Sequence, residues 1–177
     1  IPQRMAVSDT ASAIKKIEGY LKLSKYNATR NAQRSIHYAS KALKISKDNK
    51  TKEYIAKSYY QLGFAYYNLN HYDSALTYLK KSADLSKKAG NQELLALSYN
   101  RLGNTHQLQS NFNKALNYYH QALDLNNEVS NKKEIARSLT NMGSVYRNLG
   151  NYEGAIRFHL RALSAYNELN AREGIAW

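Results

Sequence analysis

The residues Tyr59–Tyr66 read Tyr-Tyr-Gln-Leu-Gly-Phe-Ala-Tyr, and related stretches follow at Tyr99–His106 and Leu139–Tyr146. Each stretch places Leu-Gly or Met-Gly at its centre, so its glycine stands 40 residues from the next one. A fixed period of this size indicates a stack of similar supersecondary units. The repetition also favours a binding protein over an enzyme, because such stacks expose long surfaces.

One period contains two apolar stripes. Residues 54–69 and 72–85 each carry apolar side chains at spacings of three and four, which is typical of helices. The polar residues Asn68–Tyr72 favour a turn between them, and Gly90 supplies a left-handed stop after the second helix. Three asparagines are placed where a side-chain oxygen could cap a following helix: Asn70, Asn111 and Asn151.

The repeated glycine predicts a close contact between the two helices of a unit. Glycine inside a helix costs about 1 kcal/mol relative to alanine, so its recurrence needs a compensating reason. We expect the second helix to approach where no side chain fits, through the small residues Ala75, Ala115, Ala155, Ser82, Ala122 and Ala162. Tyrosines at motif positions are expected in the core rather than on a base-stacking surface: Tyr59, Tyr66, Tyr99, Tyr146 and Tyr152.

These positions resemble the tetratricopeptide repeat, whose motif is aromatic-x-x-Leu-Gly-x-x-Tyr followed by alanine, an aromatic residue and alanine. Here the first match reads Tyr59-x-x-Leu62-Gly63-x-x-Tyr66, then Ala75, Leu79 and Ser82. The resemblance implies an all-α fold, a right-handed superhelical α-solenoid of stacked antiparallel helix pairs. The period is 40 instead of the common 34, which predicts a longer second helix, and the family's terminal proline is absent. Variants of this period are similar to those of signalling adaptors and bacterial sensory proteins.

The repeat phase predicts the organisation of the chain. Residues 1–50 form a degenerate N-terminal capping helix pair, with helices near Ser8–Tyr26 and Ser35–Ile45. Three units follow at 51–90, 91–130 and 131–170, and residues 171–177 begin a further, truncated repeat. All of these are expected to form one continuous domain. Because Glu173 is in phase with Glu53, we expect the sequence to be a fragment of a longer protein.

In this family the first helix of each pair lines the inner, ligand-binding face, and the resemblance implies a groove lined by equivalent positions here. The first layer is Lys57, Tyr60, Phe64, Tyr67 and Asn68. The second layer is Leu97, Asn100, Asn104, Gln107 and Leu108. The third layer is Arg137, Thr140, Ser144, Arg147 and Asn148.

Several of these residues have two interpretations. Phe64 is either a binding anchor or a packing contact with the first helix pair. Asn100 and Asn104 lie one turn apart and either clamp a peptide backbone or are solvated. Arg137 and Arg147 either receive a carboxylate or phosphate or pair with a neighbouring acid.

The net charge of +13 is compatible with an acidic partner, nucleic acid or an anionic surface. The basic residues are spread along the repeats without a dense cluster, so a solvated exterior is favoured and nucleic acid is the alternative. The chain has no cysteine, which excludes disulfides and thiol catalysis. It shows no signal peptide and no apolar run long enough for membrane insertion. The compartment stays open: extracytoplasmic for a sensor ectodomain, otherwise cytoplasmic.

No catalytic, metal or cofactor motif is found. His106 and His159 stand at aromatic motif positions, so we expect them in the core rather than at a metal. The sequence therefore predicts a non-catalytic scaffold that binds a protein or peptide segment, with self-association through the repeat ends as a further possibility. The resemblance places it in a larger bacterial signalling protein, such as a histidine kinase, diguanylate cyclase or transcriptional regulator. A basic nucleic-acid-binding array is the alternative.

Overall fold

The computed structural model describes the backbone of residues 2–174 and the side chains of residues 10–169. Within that part the chain forms eight α-helices and no strand, which confirms the all-α class. The helices are α1 (Pro2–Asn27), α2 (Ala32–Asp48), α3 (Lys52–Asn68), α4 (Tyr72–Lys88), α5 (Gln92–Leu108), α6 (Phe112–Glu128), α7 (Lys132–Asn148) and α8 (Tyr152–Gly174). The chain divides into two compact units, Ile1–Leu94 and Leu95–Trp177.

Two predicted boundaries differ in detail from the observed helices. The first helix begins at Pro2 rather than near Ser8. Helix α8 continues through Gly174 without a turn near residue 170, whereas a further repeat was predicted to begin at residue 171. The last three residues of that predicted repeat, 175–177, lie outside the described part of the chain.

The turns between α2 and α8 share one geometry. Each helix from α2 to α7 has 17 residues, so the second helix of a pair is no longer than the first. The second residue of every turn is left-handed, and these residues are 20 apart: Lys50, Asn70, Gly90, Ser110, Ser130 and Gly150. The next amide reaches back to the helix, as His71 N does to Tyr66 O at 3.0 Å. This is the Schellman stop expected at Gly90, repeated at every turn.

The predicted asparagine caps are partly wrong. Asn151 does cap its helix, because its side chain accepts a hydrogen bond from Gly154 N at 2.8 Å. Asn111 stands at the N-cap of α6 without a side-chain bond to the helix. Asn70 takes the left-handed turn position instead (φ 59°), since asparagine tolerates that conformation better than most residues.

In the first unit, buried serines join α1 to α2. The Ser24 hydroxyl donates to Ser35 O at 3.0 Å, and the Ser35 hydroxyl donates to Ser24 O at 2.9 Å. Since both hydroxyls are fully buried, these bonds satisfy groups that would otherwise destabilise the pair. Between α3 and α4, the rings of Tyr66 and Tyr78 stack at 5.4 Å. The same arrangement of short hairpin and aromatic stack recurs in the second unit.

In the second unit the core lies among α6, α7 and α8. Its buried members are Ala115, Tyr119, Leu123, Leu139, Met142, Val145 and Ala162. His106 is buried and stacks on Tyr118 at 5.6 Å, which confirms its core role. His159 faces Gly143, as expected for a residue at an aromatic packing position.

The glycines do mark close helix contacts, as predicted, but the contacted residue is large. A Cβ on Gly63 would lie 2.6 Å from the Leu79 side chain, and one on Gly103 would lie 2.5 Å from the Tyr119 ring. The predicted small residues, such as Ala115, are buried as well but are not the nearest atoms. Each glycine therefore makes room for the bulky side chain opposite it.

Four of the five tyrosines predicted in the core pack between helices as expected, although each is half-buried. Tyr59, Tyr66, Tyr99 and Tyr146 each lie against an aromatic ring of the second helix of their pair. Tyr152 is the exception, because it is 68% exposed at the start of α8. Its equivalent one period earlier, Phe112, packs against the core that α7 helps to form, so the prediction was wrong at Tyr152.

Candidate functional site

In the first unit, two of the predicted ligand positions make contacts within the unit. Lys57 forms an ion pair with Glu53 one turn earlier, and its ammonium lies 5.0 Å from the centre of the Tyr54 ring. The Asn68 side chain donates a hydrogen bond to Ala28 O at 2.6 Å. The Asn68 hydrogen bond connects the end of α3 to the α1–α2 turn.

The remaining positions of that layer form an aromatic surface on α3. The rings of Phe64 and Tyr67 are 6.4 Å apart, and Tyr67 is 6.5 Å from Tyr72. Phe64, Tyr67 and Tyr60 are all half-buried. An aromatic surface of this kind offers apolar area and hydroxyl groups together, so both interpretations of Phe64 stay open.

In the second unit, hydrogen bonds join the two helices that carry the predicted ligand positions. Ser138 Oγ donates to Asn100 Oδ1 at 3.0 Å, and Asn141 Nδ2 donates to Asn104 Oδ1 at 3.1 Å. Asn100 comes before Asn104 on α5, and their partners Ser138 and Asn141 follow in the same order on α7. The helices α5 and α7 therefore run side by side in the same direction. Asn100 is only 4% exposed, and its amide therefore serves this junction rather than an open surface.

The Tyr119 hydroxyl contacts the side-chain amides of Asn104 and Gln107. Its hydroxyl lies 2.7 Å from Asn104 Oδ1 and 2.8 Å from Gln107 Oε1, while the ring is fully buried. A hydroxyl has one proton to donate, so one of the two amides must turn its NH₂ group toward it. Asn104 Oδ1 already accepts from Asn141, and we therefore assign the turned amide to Gln107. The network fixes both side chains in one orientation.

The two arginines of the third layer differ. One guanidinium nitrogen of Arg137 donates to both carboxylate oxygens of Glu134, at 2.7 and 3.0 Å, and Glu134 is 9% exposed. This is the pairing with a neighbouring acid that the sequence left open. Arg147 is exposed, and no ion pair among the described residues involves it. Arg147 is therefore the cation of this layer that can receive an acidic group.

The exposed part of the predicted set lies at the carboxyl ends of α5 and α7. Leu108 is 51% exposed, and Arg147 and Asn148 are exposed as well. Thr140 and Ser144 are half-buried and donate their hydroxyl protons to carbonyls one turn earlier in α7. Leu97, also half-buried, lies nearer the amino end of α5. The arrangement offers an apolar residue, fixed amides and one cation, which suits an extended peptide carrying a carboxylate.

Sequence reasoning did not find three members of this network. Tyr119, Ser138 and Asn141 were not among the predicted ligand positions. The only signal was chemical: Ser138 and Asn141 are polar residues one turn apart, as are Asn100 and Asn104 one repeat earlier. The hydrogen bonds between these two pairs depend on how α5 and α7 align, and the repeat period alone does not predict that alignment.

One titrating group in the first unit is strongly perturbed. The hydrogen bond from the Tyr54 hydroxyl to Glu18 Oε1 (2.7 Å), together with burial and the nearby carboxylate charges, raises the pKa of Tyr54 to about 12. This bond links α3 to α1 and stabilises the neutral phenol. Neither residue belongs to the predicted ligand positions.

Two other kinds of site are absent from the described residues. They contain no group of three or more His, Asp or Glu side chains placed to hold a metal ion. None of their helices is long and apolar enough to cross a membrane. An open cavity of about 360 Å³ is lined by Ser110–Lys114 and Leu149 and includes none of the predicted ligand positions.

Comparison with known proteins identifies the repeat. Two family models, each described as a tetratricopeptide repeat, match residues 56–89 and 94–168. No curated protein sequence matches the chain.

Solved structures share the fold at low identity. Aspartyl phosphate phosphatase F from Bacillus subtilis is 17% identical with a TM-score of 0.82, over 89% of this chain and 42% of that protein. A Rap protein complexed with competence and sporulation factor is 20% identical with a TM-score of 0.82, over 88% of this chain and 44% of that protein. BtubC from P. vanneervenii is 20% identical with a TM-score of 0.76, over 87% of this chain and 64% of that protein. The chain thus spans less than two thirds of each of these proteins.

Proposed function

Because the chain belongs to the tetratricopeptide repeat family, we propose that it is a non-catalytic scaffold that binds a protein or peptide segment. The ligand face of the second unit is the side of α5 and α7 that carries Asn104, Gln107 and Arg147. One observation carries this choice: Tyr119 and Asn141 hold the Asn104 and Gln107 amides in place, beside the helix end that bears the exposed Arg147.

The ligand is an extended segment with an acidic side chain or a free carboxyl end. Asn104 and Gln107 hydrogen-bond its backbone, Arg147 pairs with its carboxylate, and Leu108 contacts an apolar side chain. Fixed amides lose little conformational freedom on binding, which favours affinity. One short segment held in this way is expected to bind with a Kd of about 1 μM. The aromatic surface of Phe64, Tyr67 and Tyr60 on α3 stays a separate prediction for the first unit.

Selection of peptides from a random library tests this proposal. We expect enrichment of acidic sequences, and we expect Arg147→Ala to weaken a selected peptide by roughly tenfold or more, the value of one charge-assisted hydrogen bond. Arg161→Ala is the matched control, since it removes an exposed arginine from α8. Asn104→Ala should also weaken binding while circular dichroism reports unchanged helicity. Equal affinity of wild type, Arg147→Ala and Asn104→Ala would reject this ligand face.

We propose further that the scaffold is the interaction region of a larger bacterial signalling protein with a histidine kinase, diguanylate cyclase or transcriptional regulator. The 40-residue period and the fold similarity to the Rap protein support this context. Sequencing the gene on both sides of the region tests it. An open reading frame that encodes only further repeats would contradict the signalling context and leave the scaffold role intact.

A nucleic-acid-binding array is the second candidate, because the net charge of +13 favours any polyanion. Titration with single-stranded and double-stranded oligonucleotides at low and raised salt separates the two. Nucleic-acid binding requires an affinity that falls steeply with salt and depends on several lysines together. A selective loss in Arg147→Ala alone supports the peptide scaffold.

A further inference from the structure

Two lysines from different helices meet at one tyrosine ring in the first unit. The Lys47 ammonium of α2 lies 5.7 Å from the centre of the Tyr59 ring of α3, and the Lys81 ammonium of α4 lies 5.6 Å from it. The Lys81 ammonium is also 5.7 Å from the centre of the Tyr78 ring, which stacks on Tyr59 at 6.0 Å. Both lysines are exposed and both rings are half-buried. We call these four residues the Tyr59 cluster.

The two positive charges of this cluster have no acidic partner among the described residues. The ion pairs there involve neither Lys47 nor Lys81, although Asp48 follows Lys47 directly and Asp84 lies three residues after Lys81. Each ammonium lies within 5.7 Å of the same ring centre, so the two are at most twice that distance apart. Like charges at such a separation repel, and an anion between them would offset the repulsion.

The first unit as a whole is strongly basic. Residues 1–94 contain 17 Lys and Arg against 7 Asp and Glu, a net charge of +10, whereas residues 95–177 have a net charge of +3. Of those seven acids, Glu18 and Glu53 already interact with partners inside the unit. An anion that approaches this unit therefore meets an excess of positive charge, and the Tyr59 cluster is where two of the cations come together.

We propose that the Tyr59 cluster binds a phosphate group, either the free ion or a phosphate monoester. Such a group carries nearly two negative charges at neutral pH and can offset both lysines at once, whereas a carboxylate carries only one. Lysine ammonium groups are compact charges on flexible stems, so Lys47 and Lys81 can donate to the same phosphate oxygens from opposite sides. The ring contacts keep both ammonium groups near that point before the anion arrives. This site belongs to the first unit and does not depend on the peptide face of α5 and α7.

NMR of the intact chain with labelled tyrosine ring carbons tests the site, with the Tyr59 signal assigned from a Tyr59→Phe variant. Inorganic phosphate and O-phosphoserine are titrated in separate arms at low ionic strength, which distinguishes the free ion from the monoester. We expect a saturating shift of the Tyr59 signal with a Kd on the order of 1–10 mM for at least one of them. Sodium chloride at matched ionic strength should produce a smaller shift that does not saturate.

Two double variants with the same net charge localise the effect. Lys47→Gln combined with Lys81→Gln should weaken phosphate binding at least about fivefold, because both cations are removed. Lys41→Gln combined with Lys80→Gln is the matched control, since it removes one exposed lysine from each of the same two helices and leaves the Tyr59 cluster intact. That control should leave Kd within about twofold. All four lysines are exposed, so both variants are expected to fold, with circular dichroism as the check.

Three outcomes would overturn the proposal. The first is a Tyr59 response to both phosphate probes that is no larger than the response to sodium chloride. The second is an equal loss of affinity in the two double variants, because the general charge of the unit would then explain the binding. The third is a Tyr59 response to an oligothymidylate without a terminal phosphate when neither phosphate probe produces one, since the surface would then contact the diester backbone of nucleic acid. Arg147→Ala should leave the phosphate response unchanged, which separates this site from the peptide face.

Discussion

Replacing Gly103 with alanine tests the central packing contact of the second unit. A Cβ at this position would lie 2.5 Å from Tyr119 Cε1, 2.7 Å from Cδ1 and 3.0 Å from Cζ. Carbon atoms in good contact are about 3.5–4.0 Å apart, so the ring must move by about 1 Å. Tyr119 is fully buried, and its hydroxyl is held by Asn104 and Gln107. The ring therefore has no free direction in which to move.

The expected loss follows from two opposing terms. Overpacking in a core costs about 1–3 kcal/mol, whereas replacing a mid-helix glycine with alanine gains about 1 kcal/mol of helix propensity. We expect Gly103→Ala to destabilise the protein by up to about 2 kcal/mol as the net of these two terms. Gly103→Leu should lose several kcal/mol, because the whole side chain meets the ring. Urea unfolding followed by circular dichroism measures both values.

Gly19→Ala is the matched control, and it should have the opposite sign. Gly19 lies in the middle of α1, is exposed, and a Cβ there would meet nothing within 4 Å. The same substitution should therefore stabilise the protein by up to about 1 kcal/mol. In a Tyr119→Ala background the cost of Gly103→Ala should disappear, because the clashing ring is gone. A Gly103→Ala variant as stable as Gly19→Ala would refute the role assigned to the glycine.

Three further changes have expected outcomes. Ser130→Gly should stabilise the protein by about 0.5–1 kcal/mol, since Ser130 has φ 55°, and Gly150→Ser at φ 74° should destabilise it by a similar amount in thermal unfolding. Arg137→Ala should cost about 1–2 kcal/mol because it leaves the buried Glu134 without its cation, whereas Arg157→Ala, whose pair with Glu153 is exposed at 3.5 Å, should change stability by less than about 0.5 kcal/mol. The pKa of Tyr54 is raised from 10.0 to about 12, so its stabilising contribution is complete below pH 10 and is lost as the pH rises toward 12. Glu18→Ala, which removes the acceptor and its charge, should lower that pKa, measured by NMR of the tyrosine ring carbon. An unchanged pKa in this variant would exclude Glu18 as its cause.

The sequence predicted the helices well because each helix depends on residues close to one another in the chain. The apolar spacing, the repeated glycines and the turns every 20 residues all favour the same helix pairs, and such consistency specifies a fold. The first helix pair was harder, because buried serines at 24 and 35 take the place of apolar contacts there. Tyr152 was misplaced for the opposite reason: its own pattern is that of a core residue, but burial also requires a neighbour that the pattern does not supply.

The candidate site was only partly predictable because its side chains depend on pairings between helices. The resemblance alone assigned Asn100 and Asn104 of α5, and Arg137 and Arg147 of α7, to the ligand-facing side of their helices. Position does not reveal that Asn100 accepts a hydrogen bond from Ser138 or that Arg137 pairs with Glu134. Both contacts give a predicted ligand residue a partner inside the structure, although the Arg137 side chain is still 43% exposed. Only contacts of that kind distinguish a ligand position from a structural one.

The turns explain why the repeat can tolerate such varied side chains. Left-handed residues recur every 20 positions, although the repeat in side-chain chemistry is 40. The backbone therefore treats the first and second helix of each pair alike, as equal 17-residue segments joined by the same stop. What distinguishes them is the contact of Gly63 with Leu79, Gly103 with Tyr119 and Gly143 with His159. These contacts fix which faces of the helices meet, so they also determine which faces remain for a ligand.

A substitution at Gly103 should therefore alter peptide binding at Asn104, because it displaces the Tyr119 ring. Measuring peptide affinity in Gly103→Ala beside Gly19→Ala tests that link, and equal affinities in the two variants would disprove it.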